Sequence, residues 1–167
     1  MNSPEEFKQY WEEAIQYTQK ALRKIENPRD FGSLQPKFIP YPTMIPILGV
    51  LLKEKENLDS VLQQSFDKKI TQWYWASVLS NSYSSSVEST MTKDYLDLKR
   101  WISDDTQTPA VVNKAINTIE QLDLLRENRQ SSAIYNAIFS LFAINEARDF
   151  YSNNLPEYSI LEDHHIV

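Results

Sequence analysis

Residues 3–26 read SPEEFKQYWEEAIQYTQKALRKIE. Ser3 suits a helix N-cap, Pro4 the first helical position, and Glu6 the third place of a capping box. Phe7, Tyr10, Trp11, Ala14, Ile15, Thr18, Ala21, Leu22 and Ile25 then recur at three- and four-residue intervals, the spacing of one helix face. Pro28 disfavours helix in the residue before it and closes the pattern. One long amphipathic helix is therefore expected at the start, and the rest of the chain continues in the same idiom.

A Pro-containing connection covers Asn27 to Pro42. Thr43 is placed to cap a second helix from Met44 to about Lys53, apolar enough to be buried. A third stripe runs from Leu58 through Phe66, Ile70, Trp73 and Tyr74 to about Leu79. The serine cluster NSYSSSVES, Asn81 to Ser89, reads as a turn ending in a new cap. Val87, Met91, Tyr95, Leu98 and Ile102 make a fourth helix. Thr108 is placed to cap a fifth, through Val112, Ala115, Ile116, Ile119 and Leu122. The sixth extends from about Ser131 to Tyr151 and is apolar almost all round, the mark of a helix in the middle of a bundle. On that placement Phe142→Ala is expected to cost several kcal/mol through a cavity. Beyond Asn153, Asn154 and Pro156 the pattern turns extended.

The fold class that follows is all-α, an irregular or orthogonal bundle of about six helices with a short extended C-terminal tail. Residues 1–155 are assigned to the helical domain and 156–167 to the tail. The 167 residues suffice for one core, and 41% apolar composition is that of a globular chain. Two glycines leave no Gly-rich phosphate loop. The absence of cysteine excludes disulfides and thiolate zinc sites. A net charge of −6 argues against a free-standing DNA binder. The acidic start does not resemble a secretory signal, and the most apolar run, Ala133 to Ala147, is too short to span a bilayer. A soluble cytoplasmic protein with no membrane partner is expected.

Few residues nominate chemistry. Trp73 and Tyr74 fall on an apolar stripe and read as core. Lys68-Lys69 and Lys99-Arg100 read as solvated helix faces. Asp94 and Asp97 lie within one turn; they can serve acid–base work, but surface charge is the simpler reading. The end of the chain, Glu162-Asp163-His164-His165, holds both histidines of the protein. Such a string can bind a metal or deprotonate water, and it can equally be an inert tail. The several Asp and His motifs of the DHH phosphoesterases are absent.

Four stretches, in this order and spacing, resemble the helical region of GmrSD-type proteins, the modification-dependent restriction endonucleases and their relatives. They are FIPYPTMIPILGVLL (38–52), KKITQWYWASVLSNSYSSSVESTMTKDYLDLKRWI (68–102), SAIYNAIFSLFAINEARDFYSN (132–153) and YSILEDHHI (158–166). Members of that family join a nucleotide-hydrolysing module, a helical region and a His-Asn-His nuclease. The resemblance implies that His164-His165-Ile166 matches the first nuclease strand, with His165 as general base and His164 and Asp163 on the metal side. The later Asn and His motifs and the Gln-Gln-Arg motif of the hydrolase are missing from this sequence. What the resemblance implies is therefore a non-catalytic scaffold or linker of a phage-defence restriction protein, truncated at the nuclease. It needs no cofactor by itself, and Mg²⁺ or Mn²⁺ only if the nuclease is completed as a DNA endonuclease. Its partners would be the nucleotide-hydrolysing and nuclease modules, with DNA reached only through them, or further copies in a homo-oligomer. An independent protein-interaction module is the remaining reading.

Overall fold

The computed structural model describes residues 3–121 and 132–157, and all of its regular structure is helical. Among the described residues six α-helices follow in order: α1 (Pro4–Glu26), α2 (Met44–Lys55), α3 (Ser60–Leu79), α4 (Val87–Ser103), α5 (Ala110–Glu120) and α6 (Ala133–Ile144). A 3₁₀ turn, Pro36–Phe38, lies in the connection from α1 to α2. The all-α expectation holds. Of the segment read as a tail, Pro156 and Glu157 are described and 158–167 lie outside the described residues.

The hub is α3. It packs against α4, α5 and α6, while α1 lies on α2 and α2 touches α4. Phe66, Ile70, Trp73, Tyr74 and Val78 are all buried, so the core reading of Trp73 and Tyr74 is correct. Phe31 stacks on Tyr74 with ring centroids 4.0 Å apart. From α2, Met44, Ile47, Leu48 and Leu51 close the same core, and from α4 Leu98, Trp101 and Ile102. Gly49 lets α2 cross close to α1, since a Cβ there would lie 3.2 Å from the carbonyl oxygen of Tyr17.

α6 is not the central helix. It buries its small face, Asn136, Ala137, Ser140 and Ala143, while Phe142 is 48% exposed. A side chain half in water leaves no sealed cavity, so the large cost expected of Phe142→Ala does not follow. The small face is what the neighbouring loop requires. Gly32 (φ +71°) packs so closely that a Cβ would lie 2.5 Å from the Ser140 carbonyl oxygen. Ser33 Oγ and Ser140 Oγ share a buried hydrogen bond of 2.8 Å. Beside that face α6 sets Phe139 against Phe38, centroids 4.7 Å apart.

α6 also stops at Ile144 rather than running to Tyr151. Glu146 adopts φ +50°, its N–H reaches the Ala143 carbonyl, and the Ala147 N–H reaches that of Phe142 at 2.9 Å. This is a Schellman cap, the usual helix stop, with Glu where Gly is the common occupant. Asn81 (φ +55°) ends α3 by the same pair of bonds, Asn81 N–H to Val78 and Ser82 N–H to Ser77.

N-terminal caps divide in the same way. Ser3 Oγ accepts from the Glu6 N–H and the Asp59 carboxylate from Val61 and Leu62, as real caps do. Thr43 makes no side-chain cap bond to α2. For α5 the capping place falls to Pro109, and the Thr108 hydroxyl turns back to the Asp105 carbonyl. The serine cluster is indeed a turn, but Ser86, with left-handed φ +51°, gives α4 no side-chain cap.

Candidate functional site

Two polar side chains on the inner faces of α3 and α4 organise the interior. Asp94, read as surface charge, is buried at 5% exposure. Its Oδ2 accepts from Trp73 Nε1 at 2.7 Å and from the Tyr83 hydroxyl at 2.8 Å. Asp94 therefore ties α4 both to the hub helix and to the serine turn that precedes it. Burial pushes the Asp94 carboxyl above its usual range, against the two hydrogen bonds that favour its charged form. The Tyr83 phenol is raised as well, first by burial and then by the carboxylate beside it. Asp97 instead turns outward and pairs with Arg100 at 3.2 Å. The two carboxylates do not converge on one reacting centre.

Lys69 is the second. Sequence placed it on a solvated face, yet it is 6% exposed. Its Nζ donates to the carbonyls of Trp101 at 2.6 Å and Ile102 at 3.2 Å, and pairs with Asp105 at 2.5 Å. An ammonium at the carbonyl end of α4 satisfies groups the helix leaves open and meets the negative end of its dipole. Spacing carried a signal for both residues. Asp94 falls four before Leu98 and seven before Trp101, and Lys69 three after Phe66 and four before Trp73, on buried stripes in each case. Charge alone argued for the surface and outweighed periodicity.

Further polar ties bind α1 and α4 to the frame. The Glu56 carboxylate accepts from Tyr17 at 2.6 Å and Lys20 at 2.7 Å. The hydrogen bond to Glu56 is the chief reason that the Tyr17 phenol is pushed up to about 12. Asp67 receives Lys55 at 2.6 Å and Lys24 at 3.4 Å. Burial works to raise its carboxyl, but the two lysines prevail and hold it below the usual range. Tyr95 donates to Glu54 at 2.7 Å, joining α4 to α2.

Asp163, His164 and His165 lie outside the described residues. Among the described residues no group of three His, Cys, Asp or Glu side chains is arranged to hold a metal ion, and no helix is long and apolar enough to cross a membrane. One concavity, of about 390 Å³, is lined by charged side chains, among them Lys20, Arg23, Lys24, Asp30, Lys55 and Glu56, and two others are mainly apolar. One groove of about 240 Å³ runs between α1 and α2, lined by Tyr10, Ala14, Thr18, Pro46, Gly49 and Val50 among others. A second, across the same Pro46 and Val50, reaches Met91 and Tyr95 of α4.

The class that fold and site define is an all-α bundle held by buried polar ties, with apolar grooves on its outside. Compared with known proteins, the chain is 32% identical over 152 residues to an uncharacterised protein of Methanocaldococcus jannaschii. That match covers 88% of this chain and 25% of the relative, so the chain spans about a quarter of the relative's length. No family model and no solved structure matches it.

Proposed function

We propose that this bundle is a non-catalytic scaffold, the helical part of a GmrSD-like restriction protein, which holds other modules in place. The observation that carries the reading is the distribution of exposed large apolar side chains. Phe7, Tyr10, Trp11 and Ile15 stand out on α1, Ile116 and Ile119 on α5, and Phe150, Tyr151 and Leu155 after α6. Phe150 and Tyr151 are 93% and 94% exposed. Scattered apolar residues are ordinary on a surface, whereas clusters on several elements mark places where other protein sits. The polar side chains with the most elaborate partners, Asp94 and Lys69, are spent on holding helices together. Alignment with a quarter of a longer relative fits a unit flanked by others.

The test uses that longer relative. A cysteine placed at the position aligned with Phe150 should react readily with a maleimide in the isolated helical segment. In the full-length relative it should be labelled at least tenfold more slowly, because a neighbouring module covers it. Equal rates in the two proteins would overturn the scaffold reading for this face.

A further inference from the structure

The exposed face of α1 is built to pair with itself. Phe7, Tyr10, Trp11, Ala14, Ile15 and Thr18 are all exposed and share one side of the helix. The α2 contacts of α1 flank this stripe: Glu13 pairs with Lys53 at 2.6 Å and the Tyr17 backbone lies against Gly49, while Tyr10, Ala14 and Thr18 edge the groove between the two helices. Phe7 stacks on Trp11 with centroids 6.2 Å apart, so the stripe is pre-ordered rather than splayed.

The order of these six residues is symmetric by position and complementary by size. About the midpoint between residues 12 and 13, Phe7 falls opposite Thr18, Tyr10 opposite Ile15, and Trp11 opposite Ala14. In each pair an aromatic ring meets a smaller side chain, as close packing across an interface requires. The charge of α1 is polarised along the same axis, with Glu5 and Glu6 in the first turn and Arg23 and Lys24 in the last. Antiparallel pairing opposes the two helix dipoles. A parallel pair would instead set Trp11 on Trp11.

We infer that this chain forms a two-fold symmetric homodimer through the antiparallel pairing of α1, centred between Glu12 and Glu13. A second copy suits a two-fold axis because each surface is its own complement. The paired stretch is about 18 Å long at 1.5 Å per residue. Pro46 and Val50, on the wall of the adjoining groove, widen it. An interface of that length sits at the small end of stable ones, so association is concentration-dependent. This inference assigns the α1 stripe to a second copy and leaves the exposed faces of α5 and of the segment after α6 to neighbouring modules.

Sedimentation equilibrium of the 167-residue chain over a dilution series tests it. The mass should rise from 19.6 kDa towards twice that value. Trp11→Glu should stay at 19.6 kDa throughout with unchanged helical circular dichroism, because Trp11 is 59% exposed and no core contact is lost. The absence of native cysteine allows a test of orientation. A mixture of Phe7→Cys and Thr18→Cys chains should cross-link between copies under mild oxidation. Phe7→Cys alone should not, since its two copies lie about 16 Å apart along the axis. A wild-type mass fixed at 19.6 kDa, a dimer indifferent to Trp11→Glu, or efficient cross-linking of Phe7→Cys alone would each overturn the pairing.

Discussion

Asp94→Ala is expected to destabilise the protein by about 2–6 kcal/mol, since two buried donors lose their acceptor at about 1–3 kcal/mol each. Those donors are the Trp73 indole and the Tyr83 hydroxyl, both aimed at one oxygen. Asp94→Asn retains a carbonyl oxygen for both and removes a buried charge, so its stability at pH 7 should stay within about 1 kcal/mol of wild type. Urea denaturation followed by circular dichroism distinguishes the two. A pH series adds a signature. The folded-state pKa of Asp94 is raised, so ionisation disfavours the fold. Its contribution is most favourable below the unfolded carboxyl value of about 3.9 and is lost as pH rises through the folded value. The stability of Asp94→Asn relative to wild type should therefore increase from pH 3 to pH 7. If the Asn variant fails as badly as the Ala variant at neutral pH, the charge itself is needed and the tie is not simply structural.

Gly32→Ala should cost a comparable amount by a different route. A left-handed backbone at φ +71° is penalised by about 1–2 kcal/mol once a Cβ is present. That Cβ would also lie 2.5 Å from the Ser140 carbonyl oxygen and 2.8 Å from Ile144 Cγ1. Both atoms belong to α6, and the first is backbone, so relief requires moving the helix; overpacking of this kind adds about 1–3 kcal/mol. The sum is about 2–5 kcal/mol. The buried Ser33–Ser140 hydrogen bond, one residue away, would be strained with it. Thermal unfolding should show the loss, with α6 amides exchanging faster than those of α3. An unchanged midpoint would mean that α6 yields freely and that its close seat on the loop contributes little.

These two sites explain what was legible in the sequence. The stripes of α1 and α3 are long, and the ends of α1 carry conventional signals at Ser3 and Pro28. Helix existence followed directly. The end of α6 did not, because its Schellman cap uses Glu146 in place of Gly and leaves no mark in composition. Bundle order was misjudged for a related reason. Apolar content placed α6 at the centre, yet close approach of a loop backbone selects small residues, and Ser140 supplies that contact. The buried roles of Asp94 and Lys69 were hidden by their charge, since a single sequence does not display the Trp indole or helix-end carbonyls that satisfy them. The aromatic face of α1 was visible as periodicity, but a stripe looks the same whether it turns inward or outward. Burial divides the stripe along its length: it is exposed from Phe7 to Thr18 and buried at Ala21 and Ile25.

Whether the chain supports or performs chemistry is tested most directly by incubating the purified protein with supercoiled plasmid and Mg²⁺ or Mn²⁺. The scaffold account predicts that the plasmid stays supercoiled, equally with wild type and with His165→Ala. Cleavage by wild type that disappears in His165→Ala would contradict it and make this chain a nuclease.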